Sequence, residues 1–377
     1  MSIHKVKIEG FRSLREVTWE PGKLNVVIGP NGSGKSNLLR ALGLLQKSAT
    51  SNLSEELLRL GGIAPLLWDG QAKELAWTIE TGLMNGDRNL VGERLFYELR
   101  LRQLGAGSAY RVDTEQLEML SAQDDQNVRP RRELDDLRSD VLGTDNLDEI
   151  SIVSLVGRLP GESPTTRLYD TLAGWSIYHD IHVDQQAPLR QAAVARLDRR
   201  VAADGQNFIP VLHTLYTGSR DFKKLVDDAM RAAFSKDYEE LVFPPAADQR
   251  VQLRVRWRSL KTEQSAADLS DGTIRFLLLL AILSNPTPGS LISIDEPEIG
   301  LHPSMLPIVA ELAVEASERS QVILTTHSPQ LLDAFTGTPP TTTVAQCVDG
   351  ETRLAVVDSE ELQRWLGEYT FGALFRS

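Results

Sequence analysis

The sequence predicts an α/β protein with a parallel sheet at its core, on three observations. In the last third of the chain, short apolar runs at Leu291–Ile294 and Val322–Leu324 alternate with helical patterns, the arrangement of a parallel sheet covered by helices. Near the start, the apolar run Leu24–Ile28 leads into a glycine-rich loop, and helically spaced leucines follow. The apolar run at 291–294 ends in two adjacent carboxylates, Asp295 and Glu296.

The elements follow in chain order. Ile3, Val6 and Ile8 alternate with polar residues and run into Gly10-Phe11-Arg12-Ser13-Leu14, a strand entering a turn. Leu38, Leu39, Leu42 and Leu45 share one helical face after the glycine loop. In residues 93–104, Leu95, Tyr97, Leu99 and Leu101 oppose Arg94, Glu98, Arg100 and Arg102, which predicts a half-buried antiparallel strand. Residues 121–150 hold nine acids and four bases with few large apolar groups, and predict a connector or exposed helical excursion. Residues 188–235 predict helices, broken near Ala203-Asp204-Gly205, and Trp175–Val183 reads as a strand. A second alternating strand is expected at 250–258, where Val251, Leu253, Val255 and Trp257 oppose five polar residues, four of them arginines. Ile274–Leu283 is a buried helix, and Met305, Val309, Leu312 and Ala316 mark another. These elements divide the chain into an N-terminal lobe (1–120), a helical excursion (121–245) and a C-terminal lobe (246–377).

Composition bounds the function. Of 377 residues, 41% are hydrophobic and 24% charged, which excludes wholesale disorder. No apolar run is long enough to cross a bilayer, and the N-terminus reads as a strand rather than a secretion signal. The single cysteine, Cys347, excludes a disulfide framework. Forty basic against fifty-two acidic side chains give −12, the wrong sign for a bulk electrostatic DNA binder. A soluble, cytoplasmic protein with no membrane partner is expected.

Four motifs carry chemistry. Gly29-Pro30-Asn31-Gly32-Ser33-Gly34-Lys35-Ser36 matches the phosphate-binding loop G-x-x-x-x-G-K-[ST] at every fixed position. Its glycines let successive backbone N–H groups turn toward phosphate oxygens, and the helix that follows adds partial positive charge. Lys35 is expected to reach the β- and γ-phosphates of ATP, and Ser36 to ligate Mg2+. Asp295 is placed to hold Mg2+ through its water shell, and Glu296 to polarise an attacking water. The other two motifs are Leu269-Ser270-Asp271-Gly272, ahead of the buried helix, and Thr325-Thr326-His327-Ser328-Pro329, at a strand end. Alone, Ser270 reads as a helix N-cap and His327 as structural. His179 and His182 fall on opposite faces of a strand, which argues against a metal pair.

The order of these motifs resembles an ABC-type ATPase head. The signature carries Asp271 and Thr273 where transporter subunits have L-S-G-G-Q. The opening GFRSL and the run Glu296-Pro297-Glu298-Ile299-Gly300-Leu301-His302-Pro303 instead resemble the RecF/SMC/OLD branch. The chain is most similar to stand-alone bacterial AAA-family ATPases, which share S-D-G-x-x-R-F, G-L-H-P, T-H-S-P-Q-L-L and a tail like Tyr369–Leu374. The resemblance is tight over 1–45 and 265–377 and loose between them.

It implies a P-loop NTPase with a two-lobed head, an antiparallel β arm and a helical insertion, whose ATP sites form on homodimerisation. By the same resemblance, Ser270 and Gly272 of one subunit cap the γ-phosphate held by the other's loop, including Asn37 beyond it. His327 is then the switch histidine, the Gly300-Leu301-His302 loop crosses the dimer interface, and Arg12 sits near the nucleotide. A Q-loop glutamine contributes to the metal, and Gln185 or Gln186 is the candidate.

About 85 residues separate Gln185 from Leu269 without heptads, so the long coiled coil of SMC proteins is not expected there. Fifty residues follow His327, too few for a Toprim nuclease domain. Asp124-Asp125 and Asp135-Asp136 lack strand-end context. The expected function is an ATP-hydrolysing switch in DNA repair or antiviral defence, with a separately encoded effector such as a Toprim-type nuclease and DNA as a further partner. A transporter-type subunit and a non-catalytic nucleotide-binding scaffold are the alternatives. Arg100 and Arg102 with Arg254, Arg256 and Arg258 form one basic patch if their strands pair, either a solvated sheet face or a landing site for DNA or an acidic partner.

Overall fold

The computed structural model describes residues 1–82, 94–105, 107–120, 149–335 and 337–374. The acidic pairs at 124–125 and 135–136, and most of the expected 121–150 excursion, lie outside these residues. The chain forms two compact units, Met1–Trp175 with Thr341–Ser377, and Ser176–Pro340.

The first unit holds a five-stranded antiparallel sheet. Its strands are β1 (Ser2–Phe11), β2 (Leu14–Trp19), β4 (Glu74–Gly82), β5 (Arg94–Gln103) and β6 (Tyr110–Leu120), in the order β2-β1-β4-β5-β6, with β3 (Leu24–Ile28) outside it. This is the β arm. Leu95, Tyr97, Leu99 and Leu101 of β5 are all buried, as their alternation requires. All five residues of β3 are buried, and it pairs in parallel with Thr341–Val348, Asn25 opposite Thr341 and Ile28 opposite Val344. That strand turns back antiparallel into Glu351–Val357. The helix Lys35–Ala49 buries Leu38, Leu39, Leu42 and Leu45. Trp77 of β4 donates its indole N–H to the Ala41 carbonyl at 2.9 Å, tying the arm to that helix.

The second unit contains the predicted parallel pair. Leu291–Asp295 lies beside Gln321–Thr326, Leu291 opposite Gln321 and Asp295 opposite Thr325, with the helix Leu306–Ser317 between them in sequence. Ten of the thirteen residues of the helix Asp271–Leu283 are buried, as its apolar run predicts. Two helices, Phe208–Gly218 and Arg220–Phe234, pack against each other. Tyr216 and Tyr238 both donate to the buried Asp227 carboxylate, at 2.7 and 2.6 Å.

Three local expectations are corrected. Helix begins at Phe208 rather than near 188; before it lie a 3-10 turn, Pro188–Arg190, and a two-residue strand, Ala193–Val194. The loop that follows is clasped by Asn207, which accepts from the Ala202 N–H and donates to the Arg200 carbonyl. The strand expected over 175–183 ends at Tyr178. The 250–258 strand is two pieces, Arg250–Val251 and Arg254–Trp257, paired to different neighbours.

The joint basic patch fails for a related reason. β5 pairs with β4 and β6, whereas Arg254–Trp257 pairs with Tyr238–Val242 and Gln264–Ser265. Three of these five arginines also pair with acids on their own or neighbouring segments. Arg100 meets Glu98 at 2.6 Å, Arg102 meets Glu74 and Asp113, and Arg256 meets Glu240 and Glu263.

Candidate functional site

The predicted site residues fall into two sets, one built by each unit. In the first unit, Gly29–Ser36 joins β3 to the helix beginning at Lys35. Gly32 and Gly34 have φ of +79° and +98°, the left-handed region where glycine is at no disadvantage. The Lys35 ammonium is turned into the loop, donating to the Gly29 and Pro30 carbonyls at 2.7 and 3.0 Å. Ser33 is 1% exposed, and its hydroxyl has no hydrogen-bond partner among the described residues. A buried polar atom left without a partner is costly, and here it belongs to a loop shaped for phosphate oxygens. The donor set fits a nucleotide phosphate, with Ser36 half-buried at the second position of the helix.

The turn between β1 and β2 braces this loop. Arg12, at φ +46°, reaches Asn37 Oδ1 with Nη1 at 3.4 Å. Burial, with Arg40 nearby, pushes its guanidinium pKa down. Asn37 donates to Ser13 Oγ at 2.9 Å. Thr352 Oγ1 lies 2.7 Å from Ser13 Oγ and 3.0 Å from the Ser33 carbonyl oxygen, while the Thr352 N–H donates to the Ser13 carbonyl at 2.7 Å. Arg12 thus lies beside the start of the helix that follows the loop, tied to it through Asn37. Asn31 and Pro30 form the exposed outer edge.

In the second unit, the parallel strands bring Asp295, Glu296 and His327 together. Asp295 accepts from the Thr325 hydroxyl of the neighbouring strand. The Glu296 N–H donates to the Thr325 carbonyl at 3.1 Å, and Glu296 sits at φ +47°. A non-glycine residue there stores roughly 1–3 kcal/mol of strain. In this position Glu296 Oε1 lies 2.9 Å from His327 Nδ1.

Two further charged groups, given no role by the sequence reading, lie here. Glu298 accepts from the Thr326 hydroxyl through Oε1, and its buried Oε2 has no partner among the described residues. Burial raises its pKa. Arg275 reaches the Glu296 carbonyl with Nη1 at 3.4 Å and the Ile181 carbonyl with Nη2 at 3.5 Å. Burial lowers its pKa, opposed by Glu298, Glu296 and Asp295. Arg275 carried a sequence signal, as the one charge within the apolar run Ile274–Leu283.

The signature forms the other exposed face of this unit. Ser270 caps the helix Asp271–Leu283, its oxygen accepting the Thr273 N–H at 3.1 Å, and remains exposed. A Cβ on Gly272 would overlap the Gly300 carbonyl, so glycine is needed there for packing. The signature therefore adjoins the exposed Gly300-Leu301-His302 loop, in which His302 Nδ1 is 2.8 Å from Ser304 Oγ. Arg190, missed in the sequence, fastens the signature from behind. Its side chain is fully buried and donates to the carbonyls of Val183, Ala266 and Leu269 and to Asp271. Gln185 lies five residues before it, exposed in a turn closed by the Ala187 N–H to the Asp184 carbonyl.

A phosphate-binding loop after a buried parallel strand, with a carboxylate-ended strand followed by a histidine, defines the P-loop ATPase heads of the ABC type. Comparisons with known proteins agree. The fold matches a solved Smc head bound to the C-winged helix domain of ScpA, with TM-score 0.60 at 17% identity over 96% of this chain and 100% of that one. It also matches an Smc head with extended coiled coil bound to a ScpA domain derived from Pyrococcus furiosus, with TM-score 0.52 at 16% identity over 98% and 99%.

The chain belongs to the family described as "AAA domain, putative AbiEii toxin, Type IV TA system", whose model matches residues 24–333. Locally it is 38% identical to the DNA replication and repair protein RecF of Moorella thermoacetica over 65 residues, 16% of this chain and 17% of that protein. It is 34% identical to the structural maintenance of chromosomes protein 3 of Caenorhabditis elegans over 109 residues, 28% of this chain and 8% of that one. The chain thus spans less than a fifth of either relative. Among the described residues, no helix is long and apolar enough to cross a membrane.

Proposed function

We propose that this protein is an ATP-hydrolysing conformational switch that closes as a homodimer on ATP and reopens on hydrolysis. The observation that carries the reading is the 2.9 Å contact between Glu296 and His327. A strained backbone and the neighbouring strand aim a carboxylate at the end of the sheet, beside a histidine. A non-catalytic scaffold needs neither the strain nor the pairing.

In this reading Gly29–Ser36 grips the phosphates, with Lys35 facing the β- and γ-phosphates, while Ser36 and Asp295 hold Mg2+, and Gln185 supplies a further ligand. Bound Mg2+ neutralises charge on the phosphates. Glu296 orients the attacking water and accepts its proton, and His327 holds the Glu296 carboxylate and contacts the γ-phosphate. Ser270 and Gly272 serve the partner subunit's nucleotide. The exposure of Ser270, with half-buried Gly272 against the Gly300 loop and Ile299 45% exposed, supports a docking role for that face.

The output is DNA repair or defence against foreign DNA through a separately encoded effector, such as a Toprim-type nuclease. The RecF relatives' names and the toxin–antitoxin description of the family support that direction.

The test is Glu296→Gln, which keeps size and hydrogen bonding but removes the base. Phosphate release is expected to fall about 10²–10⁴-fold. With Mg-ATP, sedimentation is expected to show a dimer that adding Ser270→Arg abolishes. Hydrolysis by Glu296→Gln at the wild-type rate would refute the catalytic assignment.

A further inference from the structure

The second unit carries a cavity of about 600 Å3 that the proposed ATPase reaction does not use. It opens between the clasped loop at 195–199, the end of the helix Phe208–Gly218 and the turn at 286–287. Its volume lies within the range of small-molecule sites.

The lining has one sign. Arg196, Arg199 and His213 face it, and among the described residues no carboxylate does. Neither arginine has an ion-pair or hydrogen-bond partner for its guanidinium among the described residues, unlike Arg100, Arg102 and Arg256. Ser219 Oγ accepts the Phe222 N–H, which leaves its own proton for a ligand. The rest of the wall mixes apolar Leu197, Leu215 and Pro286 with the threonines Thr214, Thr217 and Thr287.

Charge in the segments that contain or adjoin the lining in sequence points the same way. Segments 196–200 and 220–224 carry six bases and two acids, in a chain whose total is −12. The backbone is fixed where the arginines project. Asn285 donates to the Arg199 carbonyl at 2.6 Å, Arg200 Nε donates to the Thr287 carbonyl at 3.0 Å, and Thr214 donates to the Arg196 carbonyl at 3.0 Å. The two free guanidinium groups are thus set on an anchored loop rather than a loose one, which lowers the cost of ordering them around a ligand.

We propose that this cavity binds a phosphate ester with an apolar or ring-bearing body, the 5′-phosphate end of a nucleotide. Arginine pairs bidentately with phosphate, the Ser219 hydroxyl adds a donor, and the His213 ring with the apolar wall accepts the body. A free mononucleotide and the 5′-end of a strand share this chemistry.

The test is calorimetry on the full chain in EDTA, which disables Mg2+-dependent binding at Gly29–Ser36. Adenosine 5′-monophosphate, a 5′-phosphorylated dinucleotide and unphosphorylated adenosine are the probes. Saturable binding of a phosphorylated probe at one site per chain is expected, weakened at least tenfold by Arg196→Ala with Arg199→Ala and unchanged by Lys35→Ala. ATP hydrolysis by the arginine variant is expected to match wild type, so the result stands apart from the ATPase reading. Tighter binding of the dinucleotide assigns the site to a strand end, and equal binding to a free nucleotide. Absence of saturable binding, equal binding of adenosine, or indifference to the arginine changes overturns the proposal.

Discussion

Gly34→Ala and Gly32→Ala are expected to separate two kinds of glycine in the phosphate-binding loop. Both have positive φ, and an alanine there costs about 1–2 kcal/mol in conformation alone. They differ in what an added Cβ would meet. At Gly32 it would meet nothing within 4 Å among the described residues. At Gly34 the Cβ would overlap Thr352 Oγ1 and come within 2.9 Å of both Ser13 Oγ and Thr352 Cβ. Thr352 cannot swing aside without leaving Ser13 and the Ser33 carbonyl. Overpacking of this kind adds about 1–3 kcal/mol. For a unit of roughly 200 residues that is an additional fall in melting midpoint of about 2–12 °C beyond Gly32→Ala. Thermal unfolding of the two variants, with Thr352→Gly alone and combined with Gly34→Ala, measures it. The combined variant is expected to recover at least about 1 kcal/mol relative to additivity. Equal midpoints for Gly32→Ala and Gly34→Ala, or strict additivity with Thr352→Gly, would refute the packing account.

Arg190→Ala strips a fully buried guanidinium from three carbonyls and Asp271; it is expected to cost about 3 kcal/mol and to speed hydrogen exchange at 266–271, with Arg190→Lys partly restoring both. Glu298→Gln tests the raised carboxyl. Because burial raises the folded-state pKa, the native state holds the proton more tightly, and wild-type stability falls as pH rises from the ordinary value of 4.5 toward the raised one. The stability of the nucleotide-free variant relative to wild type is therefore expected to grow between pH 4 and pH 8 in denaturant titrations (chosen as roughly spanning that window), and a constant difference would contradict it. Replacing Arg254, Arg256 and Arg258 by glutamine is expected to leave any DNA affinity and its salt slope in place, since Arg256 is already matched by Glu240 and Glu263; three lost phosphate contacts would instead flatten the slope by roughly three units.

Sequence legibility followed the range of the interactions. The phosphate-binding loop, the carboxylate-ended strand and the helix from Asp271 were readable because each is a local pattern whose backbone and burial demands fall within a dozen residues. The sequence did not announce the His327–Glu296 contact, which arises because two strand ends become neighbours in the sheet. What escaped was either long-range or non-periodic. Thr352 meets Ser13 across 339 positions, and neither residue type signals the other. Arg190 is buried by carbonyls scattered from 183 to 269, and no spacing rule exposes such a nest. The misread helix before Phe208 had suitable composition, but the side chain of Asn207 supplies the loop's hydrogen bonds instead.

The strand that carries the phosphate-binding loop has its parallel neighbour at Thr341–Val348, and the threonine that braces the loop is Thr352. Both emerge from the ribosome more than three hundred residues after Lys35. At about 5–20 residues per second the loop waits roughly 15–60 s before its frame is complete. A nascent or prematurely ended chain therefore carries the nucleotide motif without its support. Competence to hold a nucleotide is therefore expected only in chains translated past Thr352, and synthesis interrupted before that point is expected to yield products at a disadvantage for nucleotide.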